Sequence, residues 1–497
     1  MNIKISNYYL DNEQQQIVLD KSKYLLVVAG AGSGKTLTIL GKIKYLLEYI
    51  KKEEILCISF TRESSNNLKE KIKKEFNIDI EVYTFHKLAL QILKNENYKI
   101  TDTNTLKNII HKYIFIDVLK NKKHMQIMLK YFKIKYKNKK HYINFIENNK
   151  NIEMLEKLIE TFIHLFKCNN YKLESFLKFK KQAKLNILKY NHIKCFLIIV
   201  LNIYIIYEKY KLDNNEIDFD DMIIKATNKV KEKGIDKKYK YIIIDEYQDT
   251  SYVRFLLVKN IIEKTNSNLM VVGDDFQSIY RFTGCDLSLF LDFKKYFRNA
   301  KIMKIQNTYR NSRELIEVAS KFIMKNQKQI KKKLKSDKTL NNPIKIIYYD
   351  NINQVFLKLI QKIDTKILVL GRNNNDINLL HSKEITIKNN KLIYLKDKTK
   401  EIKYLTVHKS KGLEEENVII INMENKLTGF PNQIKDNKML KFVSKQYEKY
   451  PYSEERRLFY VALTRTKNNV YILTPKKNES IFIKEIKKYK FVKKINL

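Results

Sequence analysis

Residues 24–36 read YLLVVAGAGSGKT, and this stretch decides the fold. Its first half is a short apolar, β-branched run of strand character. The adjoining segment, TLTILGKIKYLLEYI (36–50), carries apolar residues at helical spacing. A strand, a glycine loop and a helix in that order give the phosphate-loop pattern [AG]xxxxGK[ST], beginning at Ala29 and closing on Lys35 and Thr36. Amides of Ala29, Gly30, Ala31, Gly32, Ser33 and Gly34 can cradle phosphates at the helix N-terminus. Lys35 can reach the β/γ oxygens, and the Thr36 hydroxyl can ligate magnesium. The chain has only ten glycines in 497 residues, so three within five positions mark a backbone that needs positive φ or close approach to a ligand.

A phosphate loop of this kind needs an acidic strand end. KYIIIDEYQDTS (240–251) supplies one. Its apolar run enters Asp245, expected to hold magnesium through water, and Glu246, expected to orient and deprotonate the attacking water. Such a pair on its own serves equally well as a helix cap; the phosphate loop gives it catalytic meaning. A third apolar run leads into VVGDDFQSIYRFTG (271–284), where Gln277 can sense the γ-phosphate and Tyr280 and Phe282 offer aromatic faces.

Arginine is as scarce as glycine. The 97 basic residues are 87 lysines and ten arginines, with none between Arg62 and Arg254. Arg310 in QNTYRNS and Arg465 in YVALTRTK each follow a strand- or helix-like segment in the second half. Guanidinium suits bidentate phosphate contact, which makes both candidate ligands of the γ-phosphate.

Composition frames these motifs. A net charge of +43 attracts polyanions at low salt, although the excess of Lys, Asn, Ile and Tyr is also what AT-rich coding produces. With 44% hydrophobic and 12% aromatic residues the chain is no disordered polybasic tail. The four cysteines stand 111, 27 and 90 residues apart, a spacing that fits neither a disulfide framework nor zinc ligation and suggests reduced thiols and a cytoplasmic location. The N-terminus turns polar before a signal-peptide core can form. The longest apolar run, CFLIIVLNIYIIY (195–207), has Asn202 inside it and falls short of the roughly 20 residues a membrane span needs. It is expected as a buried helix, with no membrane partner.

In order, these motifs resemble the superfamily 1 DNA helicases of the UvrD/Rep type, and in detail the helicase IV branch, over nearly the whole chain. LDNEQQQIV (10–18) is similar to the family's Q motif, AGAGSGKT (29–36) to motif I and ISFTRESSNNLKEKI (58–72) to motif Ia. YTFHKLALQIL (83–93) resembles the next motif, and IDFDDMI (217–223) precedes motif II at IDEYQDTS (244–251). VVGDDFQSIYRFTGCDLS (271–288), NTYRNSREL (307–315), LTVHKSKGLEEENVIIIN (405–422) and EERRLFYVALTRTK (454–467) resemble motifs III to VI.

The resemblance implies an α/β fold of two RecA-like domains, parallel sheets flanked by helices, with ATP between them. Domain 1A would span 1–95 and 216–300, a helical insertion 1B 96–215, and domain 2A 301–497. Carried over residue by residue, the resemblance implies that Gln14 reads the adenine edge, Tyr309 stacks on the base and Glu414 faces the ribose and phosphates. Lys35, Glu246, Gln277, Arg310 and Arg465 would be catalytic. The DNA track would use Phe60, Thr84, His86, Tyr280, Phe282, Thr406 and His408, since aromatic stacking tolerates any base. Phe60 and Phe282, taken alone, also read as ordinary core.

Three departures matter. Leu37 stands where many relatives have an arginine on the adenine, which leaves the base to Tyr309 and Gln14. Thr283 stands where many have arginine. Only 33 residues separate Arg372 from Thr406, where UvrD and Rep insert domain 2B, so that domain is expected to be absent or reduced to a hairpin near 373–404. Within the insertion, YFKIKYKNKKHY (131–142) interleaves lysine with aromatics, as either a solvated loop or a contact to nucleic-acid backbone.

The function implied is an ATP- and Mg2+-dependent 3′–5′ motor on single-stranded and tailed duplex DNA, a monomer or weak oligomer whose partners are repair, defence or replication proteins. The alternative is a DNA-stimulated ATPase or translocase subunit of a repair, defence or transcription-associated complex, with little unwinding of its own.

Overall fold

The computed structural model describes residues 3–185, 189–389, 391–445 and 448–496. A first sheet holds β1 (Tyr24–Ala29), β2 (Ile55–Ser59), β3 (Glu81–Thr84), β4 (Tyr241–Ile244), β5 (Asn268–Gly273) and β6 (Lys301–Ile305). They run parallel in the order β6-β1-β5-β4-β2-β3. A parallel sheet covered on both faces needs continuous apolar strands, and YLLVVA, ILCIS and YIII provide them. Successive residues point to opposite faces. Leu26, Val28, Ile58 and Ile244 therefore join one core, and Leu25, Val27, Cys57 and Ile243 the other.

The expected domain division at residue 300 needs correcting. It assigns β6 to the second domain, yet β6 pairs with β1 from Lys301↔Leu25 to Ile305↔Ala29. KIMKI mixes lysine with apolar residues, which suits a strand solvated along one side, and β6 lies at the sheet's edge. The chain crosses to the second sheet only after Ile305.

That second sheet holds β7 (Ile344–Tyr349), β8 (Ile367–Gly371), β9 (Ile385–Lys388), β10 (Lys391–Tyr394), β11 (Ile402–Thr406), β12 (Glu415–Ile420), β13 (Thr466–Pro475) and β14 (Val492–Ile495). Their order is β9-β10-β11-β8-β12-β13-β7-β14. The sheet is parallel except where β10 meets β9 and β11. In the short interval between Arg372 and Thr406 the antiparallel pair β9–β10 extends the sheet edge where longer relatives are expected to carry a whole domain.

The insertion leaves the first sheet through a two-strand neck, Lys99–Ile100 beside Glu216–Ile217. Between these strands lie helices from Thr105 to Asp213, among them α1 (Asn151–Cys168) and α2 (Tyr190–Asp213). Phe162, Phe166, Phe176, Phe179 and Phe196 share their core. Helix α2 is long and apolar enough to cross a membrane by length and composition, but Phe196, Ile199, Val200 and Ile203 are buried in that core, as expected of the 195–207 run.

Beyond the neck, Asp218 caps α3 (Phe219–Lys233). Two buried lysines converge there: Lys167 of α1 lies 2.6 Å from Asp221 and Lys211 of α2 lies 3.2 Å from Asp218. The acidic residues of IDFDDMI thus fasten the insertion to the first sheet's layer of helices.

Candidate nucleotide site and nucleic-acid cleft

Strand β1 ends at Ala29, and the helix after the loop begins at Lys35. Gly32 and Gly34 turn the loop with φ of +69° and +78°, a region that favours glycine. A Cβ on Gly32 would lie 2.5 Å from Arg310 Cβ, so the second half of the chain closes directly on the loop. Thr308 Oγ1 donates to the Ala31 carbonyl at 2.7 Å, and the Tyr309 N–H to the Gly32 carbonyl at 2.9 Å. Ser33 Oγ is buried and, among the described residues, has no partner. Such an orphaned hydroxyl in a glycine cradle fits a phosphate ligand.

At the outer end of the loop, Gln14 is fully buried. Its side-chain oxygen accepts from the Asp11 N–H at 3.0 Å, and its nitrogen donates to the Ser33 carbonyl at 3.2 Å. Tyr309 is 59% exposed while its hydroxyl donates to Asp11 Oδ2 at 2.7 Å. Gln14 and Tyr309 therefore flank Gly34, the position where a base would follow the phosphates. In this conformation the Gln14 amide is occupied by protein groups.

The acid pair sits beyond the tip of β4. Glu246 has φ of +52°, an unfavourable backbone for a side chain with a Cβ. Its carboxylate is held from several sides, by Lys35 Nζ, by Gln248 Nε2 at 2.6 Å and by Lys411 Nζ at 3.4 Å. Burial alone would raise its pKa, but the charges of Lys35 and Lys411 hold it well below the usual carboxylate range. Asp245 moves the other way: burial, and then the negative charge of Glu246, push it up to about 6. Neighbouring carboxylates driven apart in this way are suited to different tasks. Thr36 stands beside Lys35 on the first helical turn and Asp245 beside Glu246, the partner of Lys35; these two remain the candidates to hold a metal ion.

Sequence reasoning missed Lys411, one lysine among 87, although it lies in the KSKG segment. Its side chain is only 9% exposed, pairs with Asp249 and donates to the Gln277 carbonyl at 2.8 Å. Burial pushes Asp249 up to about 6 despite that partner.

From the second half, Arg465 is 1% exposed and donates to the carbonyls of Val461 and Leu413 at 3.1 Å each, and to Gln277 Oε1 at 3.1 Å. Burial, then the charge of Arg310, bring its pKa down to about 9. Gln277 in turn donates to Asp274 Oδ2 at 2.7 Å. Arg310 donates to Glu414 Oε2 at 2.5 Å, and Lys467 lies 3.3 Å from the other oxygen of Glu414. Behind them lies another unforeseen contact. Lys332, also from the second half, is fully buried between Asp274 and Asp275, 2.7 Å from the latter.

The track residues divide into two groups. Phe60 stacks on Tyr280, with centroids 5.7 Å apart and planes 13° from parallel. Tyr280 neighbours Phe282 at 6.2 Å and His408 at 6.3 Å, and its hydroxyl donates to the His408 carbonyl at 2.9 Å. Phe282 is 57% exposed and so lies outside the core. Thr84 and Thr406, by contrast, accept from the backbone N–H groups of Lys87 and Lys409. His86 packs edge-on against Phe219 at 5.6 Å, and burial followed by the charge of Arg254 lowers its pKa to about 4.

Arg254 itself, the first arginine after the arginine-free stretch, lies 5.0 Å over the Phe60 ring. Arg372 is held by Glu455 at 2.8 Å, a structural pairing. Tyr280, Phe282, Thr406 and His408 line a cleft of about 1370 Å³ together with Lys409, Lys435, Lys438, Lys441 and Lys445.

Two parallel sheets, a phosphate loop on one and buried arginines carried to it by the other define a P-loop NTPase built of two RecA-like units. Residues 10–298 match the UvrD/REP helicase N-terminal domain, and residues 382–477 the UvrD-like helicase C-terminal domain. The chain belongs to the UvrD/REP helicase family, a family of ATP-dependent DNA helicases. It is 27% identical to DNA helicase IV of Escherichia coli (strain K12) over 96% of its length and 70% of that relative's. It is 32% identical to the ATP-dependent DNA helicase Rep of Buchnera aphidicola subsp. Acyrthosiphon pisum (strain APS), and 30% identical to PcrA of Bacillus subtilis (strain 168). Those two matches cover 68% and 69% of this chain but only 48% and 43% of the relatives.

Proposed function

We propose that this protein is an ATP-driven motor that tracks 3′ to 5′ along single-stranded DNA and unwinds the duplex ahead. One observation carries the reading: two short segments each join the nucleotide site to the cleft. Gln277 bonds Arg465 while Tyr280, three residues on, stacks on Phe60. Lys411 pairs with Glu246 while His408, three residues back, lines the cleft. A shift at the γ-phosphate therefore moves the aromatic track.

ATP would bind with its phosphates in the 29–36 loop and its base between Gln14 and Tyr309. Lys35 would exchange Glu246 for phosphate oxygens, and Arg310 would likewise leave Glu414 and join Arg465 on the γ-phosphate. Glu246, kept ionised by Lys411, would then take the proton of the attacking water. Magnesium, held by Thr36 and Asp245, would supply charge neutralisation on the phosphates.

Unwinding of duplexes with a 3′ tail, a 5′ tail or no tail, with RNA controls, tests this reading. Activity only on the 3′-tailed DNA is expected, and preference for a 5′ tail or for RNA overturns it. The strand pair β9–β10, standing where Rep and UvrD are expected to have a domain, favours a second reading in which the chain is a DNA-stimulated translocase subunit of a repair, defence or transcription-associated complex, with little unwinding of its own. A translocation assay beside strand displacement separates the two.

A further inference from the structure

Residues 432–445 lie between β12 and the helix that leads to Arg465, and they do more than connect. Asp436 accepts from Arg281 at 2.6 Å, and Lys445 pairs with Asp286 at 2.7 Å, both partners belonging to the loop after β5. Between these two anchors the segment crosses to the helical insertion. Met439 and Val443 are buried in the insertion's own core, and the Phe442 ring lies 5.7 Å from that of Phe179. Asn169 Nδ2 donates to the Val443 carbonyl at 2.9 Å. One stretch of chain thus ties all three parts of the molecule together along the wall of the cleft.

Its charges face inward. Lys435, Lys438, Lys441 and Lys445 are exposed and line the same cleft as Phe282 and His408. At the seam, Lys189 of the insertion lies beside Lys438, with Lys133 of the lysine-rich 131–142 stretch close by; this crowding of like charge lowers the pKa of Lys189. Ammonium groups gathered at a seam repel one another until a polyanion lies among them.

We propose that residues 432–445 form a clasp that latches onto the insertion and closes the cleft into a ring around a single DNA strand, with Lys435, Lys438 and Lys441 along its phosphates. This rests on the reading of the cleft as a DNA track. The latch is a few apolar side chains, small enough to release and re-form, so a strand enters either by its end or while the latch is open.

The test locks the latch in the full-length protein. Cysteines introduced as Asn169→Cys and Ser444→Cys, both half-buried positions beside the Asn169–Val443 contact, are joined by a short bis-maleimide, with the wild type treated identically because Cys285 is half-buried and the other three thiols are buried. Retention of linear and circular oligo(dT) of equal length is then compared. The unlocked protein is expected to hold both, and the locked protein to hold the linear strand and lose the circle. Equal retention of the circle by the locked protein overturns the clasp. Loss of both substrates on locking also overturns it, because the segment would then be a plug. If the unlocked protein holds neither, the track reading fails and the clasp with it. Phe442→Ala, which weakens the latch without a cross-link, should capture circles faster than the wild type; unchanged capture counts against the latch.

Discussion

Arg465 and Gln277 meet at 3.1 Å across the junction of the two sheets, a guanidinium of one bonded to the carboxamide of the other. The contact ties the cation to the segment that carries Tyr280, and in the proposed mechanism the same cation meets the γ-phosphate. Arg465→Ala is expected to lower ATP turnover by about 10³-fold or more while single-strand binding persists. Arg465→Lys should not restore turnover, because an ammonium cannot reproduce the forked contacts. Steady-state ATPase measurements beside DNA-binding titrations check both.

Glu246 owes its low pKa to two lysines, and only Lys35 was foreseen. Removing the other, as in Lys411→Met, lets burial raise the carboxyl. The base works deprotonated, so the acid limb of the ATPase profile should move to higher pH in the variant. A profile superimposable on that of the wild type would refute the role given to Lys411.

Lys332 is fully buried against Asp274 and Asp275 and comes from the far side of the crossover. Lys332→Met leaves buried carboxylates without their cation, a loss on the order of 3–5 kcal/mol. Denaturant midpoints should show it, and the effect should appear in the transition of the whole chain because the contact joins both halves.

His164 on α1 bonds Asp220 at 2.8 Å. Burial disfavours its charge, but the Asp220 carboxylate and Cys168 outweigh that and raise its pKa to about 11 from an ordinary 6.5. The stability it contributes is therefore complete below about pH 6.5 and declines as pH rises toward 11. His164→Gln should cost more at pH 6 than at pH 9, as urea unfolding at the two values would reveal.

Phe60 and Tyr280 stack on each other now and would each accept a base in the complex. Phe60→Ala and Tyr280→Ala should each weaken oligo(dT) binding by about 1–3 kcal/mol. The slope of affinity against salt should not change, since neither residue touches a phosphate.

The nucleotide site was legible because its chemistry is local: Ala29 to Thr36 are contiguous, and Asp245 and Glu246 end a single apolar strand. Lys411, Asp249 and Lys332 were not legible, since each acts through a partner distant in sequence, and the two lysines are hidden in a lysine-rich composition. The strand at Lys301–Ile305 escaped for a related reason. Its pattern fits an edge strand of either sheet, and only the register against Tyr24–Ala29 decides between them. Residues 432–445 carry no motif, and their role emerges only from where they dock.

The crossover after Ile305 has a mechanical consequence. The first residues beyond it do not hang free: Gln306 is bonded to Glu13 at 2.6 Å, Asn307 to Asp11 at 3.2 Å, and Thr308 and Tyr309 to the phosphate loop. A lever pinned this close to its fulcrum has almost no backlash. Any rotation of the second sheet must pull on the nucleotide loop itself, so load on the DNA and occupancy of the ATP site would be felt through one short length of backbone.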